Sequence, residues 1–259
     1  MEDIILSEAK DIYDYWFLQF DFPNKFGRPY KASGGKMVWS EELKRKIPEG
    51  WSVGTLNQYI TGDKAGDWGK DKEEGNYIRK VTCLRGADFS AITGDKTLAA
   101  PERFILEKNA DKILENGDLI IEISGGSPTQ STGRICYIND SLLERFDTNV
   151  ITSNFCRAIS LKDITYMYWF YVQWERIYES NILFKYEGKT TGIKNLLFDL
   201  FVNDYKIAFP PNELIQKYDK VVADVFDKIQ KNQKEKKELA SLRDFLLPLL
   251  MNGQVGFKG

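Results

Sequence analysis

Between Phe209 and Leu250 the chain reads FPPNELIQKYDKVVADVFDKIQKNQKEKKELASLRDFLLPLL, and this run sets the architecture. Pro210 and Pro211 end whatever precedes them, Asn212 is a suitable N-cap, and neither Gly nor Pro intervenes before Pro248. The pattern predicts one helix of about 36 residues, about 54 Å long. Apolar residues occupy both of its ends, with Leu214, Tyr218, Val221, Val222, Val225, Phe226 and Ile229 early, then Leu239, Leu242, Phe245 and Leu246 late. Residues 230–238 are all polar. A helix polar on every side cannot lie in a core, so the expectation is a solvent-bridging, coiled-coil-like spacer with two adhesive ends. Leu214, Tyr218, Val221, Val225, Ile229, Leu239, Leu242 and Leu246 are the expected dimer or partner interface.

Working back from this helix, residues 51–211 alternate short β-branched runs with helical stretches. Strands are expected at residues 77–82, 118–124, 134–138, 150–159 and 205–209. Helices are expected at 163–179, where seven apolar residues follow the helical period, and over 193–201. This mixture predicts an α+β class: one mixed α/β domain followed by the long helix. Residues 1–50 open with an amphipathic helix over 5–20 that ends near Phe22. A basic loop follows over 22–40, carrying Lys25, Arg28, Lys31 and Lys36 among Phe22, Phe26, Tyr30 and Trp39. The expected division is therefore 1–50, 51–211 and 212–259.

Composition removes many chemistries. The 259 residues contain no histidine, which excludes His general bases, Ser-His-Asp and Cys-His nucleophile systems, and most zinc sites. Cys83, Cys136 and Cys156 are an odd, widely spaced set and are expected to be free thiols in a reducing compartment. No run approaches the roughly 18 apolar residues of a membrane span, and the acidic start is unlike an export signal, so a cytoplasmic protein is expected. With 36 basic and 38 acidic residues, any nucleic-acid binding must be local.

Catalytic signatures fail on inspection. Gly188-Lys189-Thr190 resembles the end of a phosphate-binding loop, but Leu183 stands where its first glycine belongs. Asp118 and Glu122 resemble the carboxylates of a metal nuclease, yet Ser124 replaces the lysine that should follow. Phe209-Pro210-Pro211-Asn212 reverses the order of an amino-methyltransferase loop. No metal or cofactor is expected in this chain. What remains is two loops rich in small donors: residues 124–134, with Ser127, Thr129, Gln130, Thr132 and Arg134, and residues 188–195, with Lys189, Thr190, Thr191, Lys194 and Asn195. Such an inventory suits either solvated turns or the reading of base edges and phosphates, the second loop as the start of a helix.

The segments YDYWFLQFDFP (13–23), GRPYKASGGKM (27–37) and IPEGW (47–51) closely resemble the specificity (S) subunits of type I restriction-modification systems. Tyr77-Ile78-Arg79, GDLII (117–121), Pro210-Pro211 and LLPLLMNGQ (246–254) extend the resemblance to nearly the whole chain. It implies a target recognition domain that reads double-stranded DNA and a helix that acts as a ruler. It also implies partner methyltransferase subunits, which hold S-adenosylmethionine, and a restriction subunit in the larger complexes. Such subunits usually carry two recognition domains and two long helices, whereas this chain has one of each. It resembles a second half, and a homodimer through the long helix would restore two recognition domains. Under this reading Lys25, Arg28, Lys31 and Lys36 hold phosphates, while Arg79, Lys80 and the two donor loops contact bases. Two rivals stand beside it: a free-standing nuclease or methyltransferase using Asp118 and Glu122, and a helical scaffold that binds no DNA.

Overall fold

A computed structural model of the chain describes residues 2–94, 98–125, 127, 129–188 and 192–252. Strands β1 (Met37–Ser40) and β2 (Arg45–Pro48) form a hairpin, and β3 (Ser52–Thr55) pairs across the chain with β14 (Lys206–Phe209). The central sheet is antiparallel, in the order β4 (Ile60–Ala65), β11 (Cys156–Leu161), β7 (Leu119–Glu122), β9 (Ile135–Tyr137). In a second sheet, β5 (Tyr77–Leu84) pairs antiparallel with β6 (Glu102–Leu106) and parallel with β10 (Asn149–Thr152). A third, small sheet has the order β12 (Glu187–Gly188), β13 (Lys194–Leu196), β8 (Ser124–Gly125). The helices are α1 (Glu2–Tyr13), α2 (Phe89–Thr93), α3 (Asp140–Leu143), α4 (Met167–Glu179), α5 (Phe198–Asp204) and α6 (Asn212–Met251).

The central strands are apolar at consecutive positions because both faces of their sheet are covered. Leu119, Ile121, Ile135, Tyr137 and Ile159 point into one core, which they share with α1, α4 and α6. Their neighbours Ile120, Cys136, Ile138, Cys156 and Ala158 point into a second core with Leu84, Phe89, Ile92 and Leu142. Cys136 and Cys156 are thus small apolar fillers. All three thiols are free and buried; burial pushes Cys83 up to about 12 and raises Cys136 and Cys156, so none is a thiolate nucleophile.

Aromatic rings join α1, α4 and α6. Tyr218 meets Tyr13, Trp16 and Phe17, and its hydroxyl donates to Ala9 O at 3.0 Å. Phe226 stacks on Tyr168 at 4.3 Å and meets Tyr137 and Tyr171 edge-on. Leu214, Tyr218 and Ile229, expected at an interface with another chain, are therefore buried in this one. The expected polar spacer is also half wrong. Gln230 and Gln233 are buried and their amides are hydrogen-bonded: Gln230 Nε2 donates to Tyr137 Oη (2.7 Å) and Ile92 O (3.1 Å), and Gln233 Nε2 donates to Gly94 O (2.7 Å). Arg145 Nη1 donates to Gln230 Oε1 at 2.5 Å. The helix is buried against the domain through Gln233; beyond it Lys234 still pairs with Glu144 at 3.7 Å, and residues as far as Asp244 border a cleft with Thr82 and Glu102 while the opposite face is exposed.

Other expectations need correction. The first helix is α-helical over Glu2–Tyr13 and then π-helical over Asp14–Leu18, which turns Trp16 and Phe17 inward together before Phe20, at φ 67°, ends it. Residues 150–159 make two strands of different sheets, because Ser153, Asn154 and Phe155 form a turn between β10 and β11. Residues 193–201 begin as β13 rather than as a helix. Asn212 lies inside α6, with Pro211 at the N-cap position and no side-chain cap. Pro248 does not stop α6, which runs on to Met251. Strands β1 to β4, β6 and β12 were not foreseen; none of them contains a dense β-branched run of the kind that marks strands.

Two stability predictions follow from α6. Gln230→Leu removes the donor to buried Tyr137 Oη and one of the acceptors of Arg145, so it should cost about 1–3 kcal/mol and lower the Tm by a few degrees in thermal unfolding. Asp219 Oδ1 is buried without a partner, and burial, helped by Asp163, raises its carboxyl to about 7 against the opposing Tyr168 backbone N–H. Between its ordinary value of 3.8 and about 7 the folded chain holds a proton the unfolded chain has lost, so stability falls as pH rises through that window. Asp219→Asn should therefore raise the Tm at pH 8, with the gain disappearing near pH 4.

Candidate nucleic-acid interface

The two donor-rich loops, 69 positions apart at their closest strand pair, meet in the small sheet, where Lys194 pairs with Gly125 and Asn195 with Ser124. Ser124 Oγ donates to Asn195 Oδ1 at 2.5 Å. Beyond β8 the chain reverses tightly, with Ser127 N donating to Gln130 O at 2.9 Å. Thr129 and Gln130 stand exposed at this tip, and Gln130 is hydrogen-bonded to Tyr178 of α4. Gly133 has φ 103°, and a Cβ there would meet Leu183 Cδ1 at 2.4 Å, so glycine is required to bring the chain back into β9. Trp174 Nε1 fastens that return by donating to Gly133 O at 2.7 Å.

Arg134 and Glu122 face each other across the mouth of this hairpin. Arg134 Nε donates to Glu122 Oε2 at 2.9 Å and Nη2 donates to Oε1 at 2.6 Å, a bidentate pair with Glu122 buried. Glu122 holds the guanidinium firmly in its charged form. A Cβ on Gly86 or Gly125 would come within 2.5 or 2.6 Å of Glu122 Oε1, so two glycines leave room for the pair. The pair forms the floor of a cleft of about 590 Å³, lined also by Trp68, Arg85, Asn154, Phe155 and Ile193. Arg85 is itself held by Asp88 through two hydrogen bonds of 2.9 Å.

The expected contact residues separate into groups. Ser127, Thr129, Gln130, Arg134, Lys194 and Asn195 do come together. Thr132 is fully buried and spends its N–H and hydroxyl on Glu187 Oε1, at 2.8 and 3.3 Å, so it cannot reach a ligand. Lys194 is paired with the same carboxylate at 2.9 Å, and neither it nor Asn195 lies at a helix N-terminus. Lys189, Thr190 and Thr191 lie outside the described residues. Arg79 and Lys80 sit toward the start of β5, about 17–20 Å along the strand from Arg85, and are paired with Glu107 and Glu102. Sequence reasoning missed Arg85, Asn154 and Phe155: the Arg85-Gly86 turn signal went unused, and the false strand over 150–159 concealed Phe155.

The basic loop is ordered by its own contacts. Asn24 Oδ1 accepts from Phe26 N and Arg28 N at 2.9 and 3.1 Å, and Tyr30 stacks on Phe22, which stacks on Trp51. Lys36 pairs with Glu49, whereas Lys25, Arg28 and Lys31 have no carboxylate partner among the described residues. This loop packs near Pro211 and Leu214, and Trp51 connects through Phe17 to Trp169 at the start of α4. The donor hairpin instead touches Trp174 and Tyr178, toward the end of α4. Unpaired positive charge and donor-rich cleft thus lie toward opposite ends of one helix.

The nuclease alternative finds no geometry. Asp118 immediately precedes β7 and Glu122 ends it, about 13 Å apart along the strand. Asp118 accepts from Lys64, Ser160 and the Glu115 N–H, and Glu122 is occupied by Arg134. No group of three potential metal ligands occurs among the described residues. No helix among those residues is long and apolar enough to cross a membrane.

No family model matches the chain. The specificity subunit of the type I restriction enzyme MjaIX from Methanocaldococcus jannaschii is 22% identical over 264 aligned residues, covering 98% of this chain and 53% of that protein. Among solved structures, a chain from work on complex assembly and conformational transition of the type I R-M system aligns with 94% of this chain at 15% identity and a TM-score of 0.42. The HsdS subunit of Thermoanaerobacter tengcongensis aligns with 98% at 14% identity and a TM-score of 0.40. In each case the chain spans about half of its counterpart. Along nearly its whole length, this chain is similar in sequence to one half of a type I restriction enzyme specificity subunit.

Proposed function

We propose that the chain is a DNA-reading half of a type I restriction-modification specificity subunit, directing partner methyltransferase and restriction subunits to a bipartite site. The observation that carries this reading is the junction of two distant donor-rich loops at β8 and β13, in a chain similar over 98% of its length to such a subunit. Thr129, Gln130, Asn195 and the locked Arg134 offer donors and acceptors in the mixture that base edges present. Lys25, Arg28 and Lys31 serve phosphates at the other end of the domain. Methyl transfer, with its S-adenosylmethionine, belongs to the partners, and this chain contributes selection and spacing.

The second half of α6 supplies the spacing. Past Gln233 the helix continues for 18 residues, about 27 Å, and carries Leu239, Leu242, Leu246 and Leu249 at spacings of three, four and three. Leu239 is 58% exposed and Leu242 51%, and Phe245 and Leu247 beside them are exposed as well. A second copy packed along this seam gives a two-fold dimer with two recognition domains held a fixed distance apart. The interface expected over the whole helix thereby contracts to its free half, with Val221 and Val225 left along the docked half.

Sedimentation velocity of the unaltered chain and of Leu242→Lys should show a dimer and a monomer respectively. If the unaltered chain stays monomeric at tens of micromolar, the self-association reading fails. Gln130→Ala removes an exposed donor without stranding a buried charge, which Arg134→Ala would do to Glu122. With a cognate methyltransferase subunit, Gln130→Ala should relax choice at one base pair by about 1–3 kcal/mol, measured on a panel of single-base variants of the site. Equal weakening on every sequence would mean that the hairpin does not read bases.

A further inference from the structure

The rim of the Glu122–Arg134 cleft is apolar where a solvated turn would be polar. Phe155 is 46% exposed and Ile193 is 55% exposed, and both line the cleft. Neither belongs to the donor inventory that points to base contacts. Phe155 is held in place by its backbone, since Ile123 N and Ser124 N both donate to Phe155 O, at 2.9 and 3.0 Å. Its ring is therefore carried at the point where β7 passes into β8, on the same two residues that lead from Glu122 to the donor hairpin. In the same cleft, the guanidinium of Arg134 uses Nε and one Nη2 proton on Glu122 and keeps the remaining protons for another acceptor. The charges that face the cleft are matched, Arg134 by Glu122 and Arg85 by Asp88, so its occupant is selected by shape and hydrogen bonding rather than by net charge.

A fixed guanidinium beside exposed apolar side chains is complementary to a particular edge of duplex DNA. Guanine presents two acceptors in the major groove, and thymine presents a methyl group there. Resting on the DNA-reading function proposed above, we infer that Phe155 and Ile193 form an apolar contact for the C5 methyl of a thymine next to the base pair that Arg134 addresses. They are specificity-determining residues, and their partner is a methyl group rather than a phosphate.

The test uses the full chain. A random duplex pool is first enriched on it at low salt, and each thymine of the enriched site is then replaced in turn by deoxyuridine, which lacks only the methyl. At one thymine per half-site the replacement should weaken binding of the unaltered chain about fourfold, the worth of one buried methyl group. The same replacement should change binding of the Phe155→Ala, Ile193→Ala double variant less than twofold, while its circular dichroism and Tm stay those of the parent, because both side chains are exposed. An enriched site with no methyl-sensitive thymine, or a penalty of equal size in the double variant, overturns the inference and leaves the DNA-reading function standing. A pool that yields no enriched sequence overturns both.

Discussion

The docking of one aromatic face of α6 onto α1 and α4 is the constraint on which the rest of the molecule depends. Tyr218 and Phe226 are fully buried, and each removes enough apolar surface from water to contribute about 1.5–3 kcal/mol. The proposed measuring role of α6 requires a fixed origin, and these rings supply it. Gln230 and Gln233 extend the docked segment by two further turns through hydrogen bonds to Tyr137, Ile92 and Gly94. The helix then continues without a glycine through its exposed half, so the orientation set at Phe226 is transmitted along its length.

At the cleft the same economy appears in electrostatic form. A buried carboxylate beside a guanidinium is seldom more stabilising than a well-packed apolar pair, because both groups must be desolvated. What the Glu122–Arg134 pair supplies is geometry: two hydrogen bonds remove the rotational freedom of a long side chain and aim its remaining protons. Gly86 and Gly125 are part of that geometry, since any side chain at either position would collide with the carboxylate. Charge without a partner is kept at the other end of α4, on Lys25, Arg28 and Lys31. The domain thus separates unpaired positive charge from donors whose positions are fixed, and under the proposed function the first attracts a polyanion at any sequence while the second discriminates.

Local pattern was legible wherever one residue type dominated. The helical period of residues 163–179 gave α4 and placed its aromatics in the core, where Trp169 and Trp174 are completely buried. The strands β5, β7, β9 and β14 stood out as β-branched runs, and the donor-rich stretches 124–134 and 188–195 contain the two strands, β8 and β13, that pair. Boundaries and partners were less legible. The turn at Ser153 to Phe155 contains no proline or glycine, so two strands looked like one. Arg79, Lys80 and Arg134 are alike as letters, yet each is paired with a carboxylate that lies 12 to 28 positions away, or 22 in the case of Lys80.

The sequence alone determined that the chain has no histidine chemistry, an α+β body, a long terminal helix and two polar loops of unusual composition, because periodicity and composition are properties of neighbouring residues. Only the tertiary structure decided that Gln230 and Gln233 are interior, that Thr132 is out of reach, and that Phe155 and Ile193 line one cleft with Arg134. A side chain's exposure and its hydrogen-bond partners are set by segments brought together from tens to more than a hundred positions apart, and no local pattern records which of them will meet.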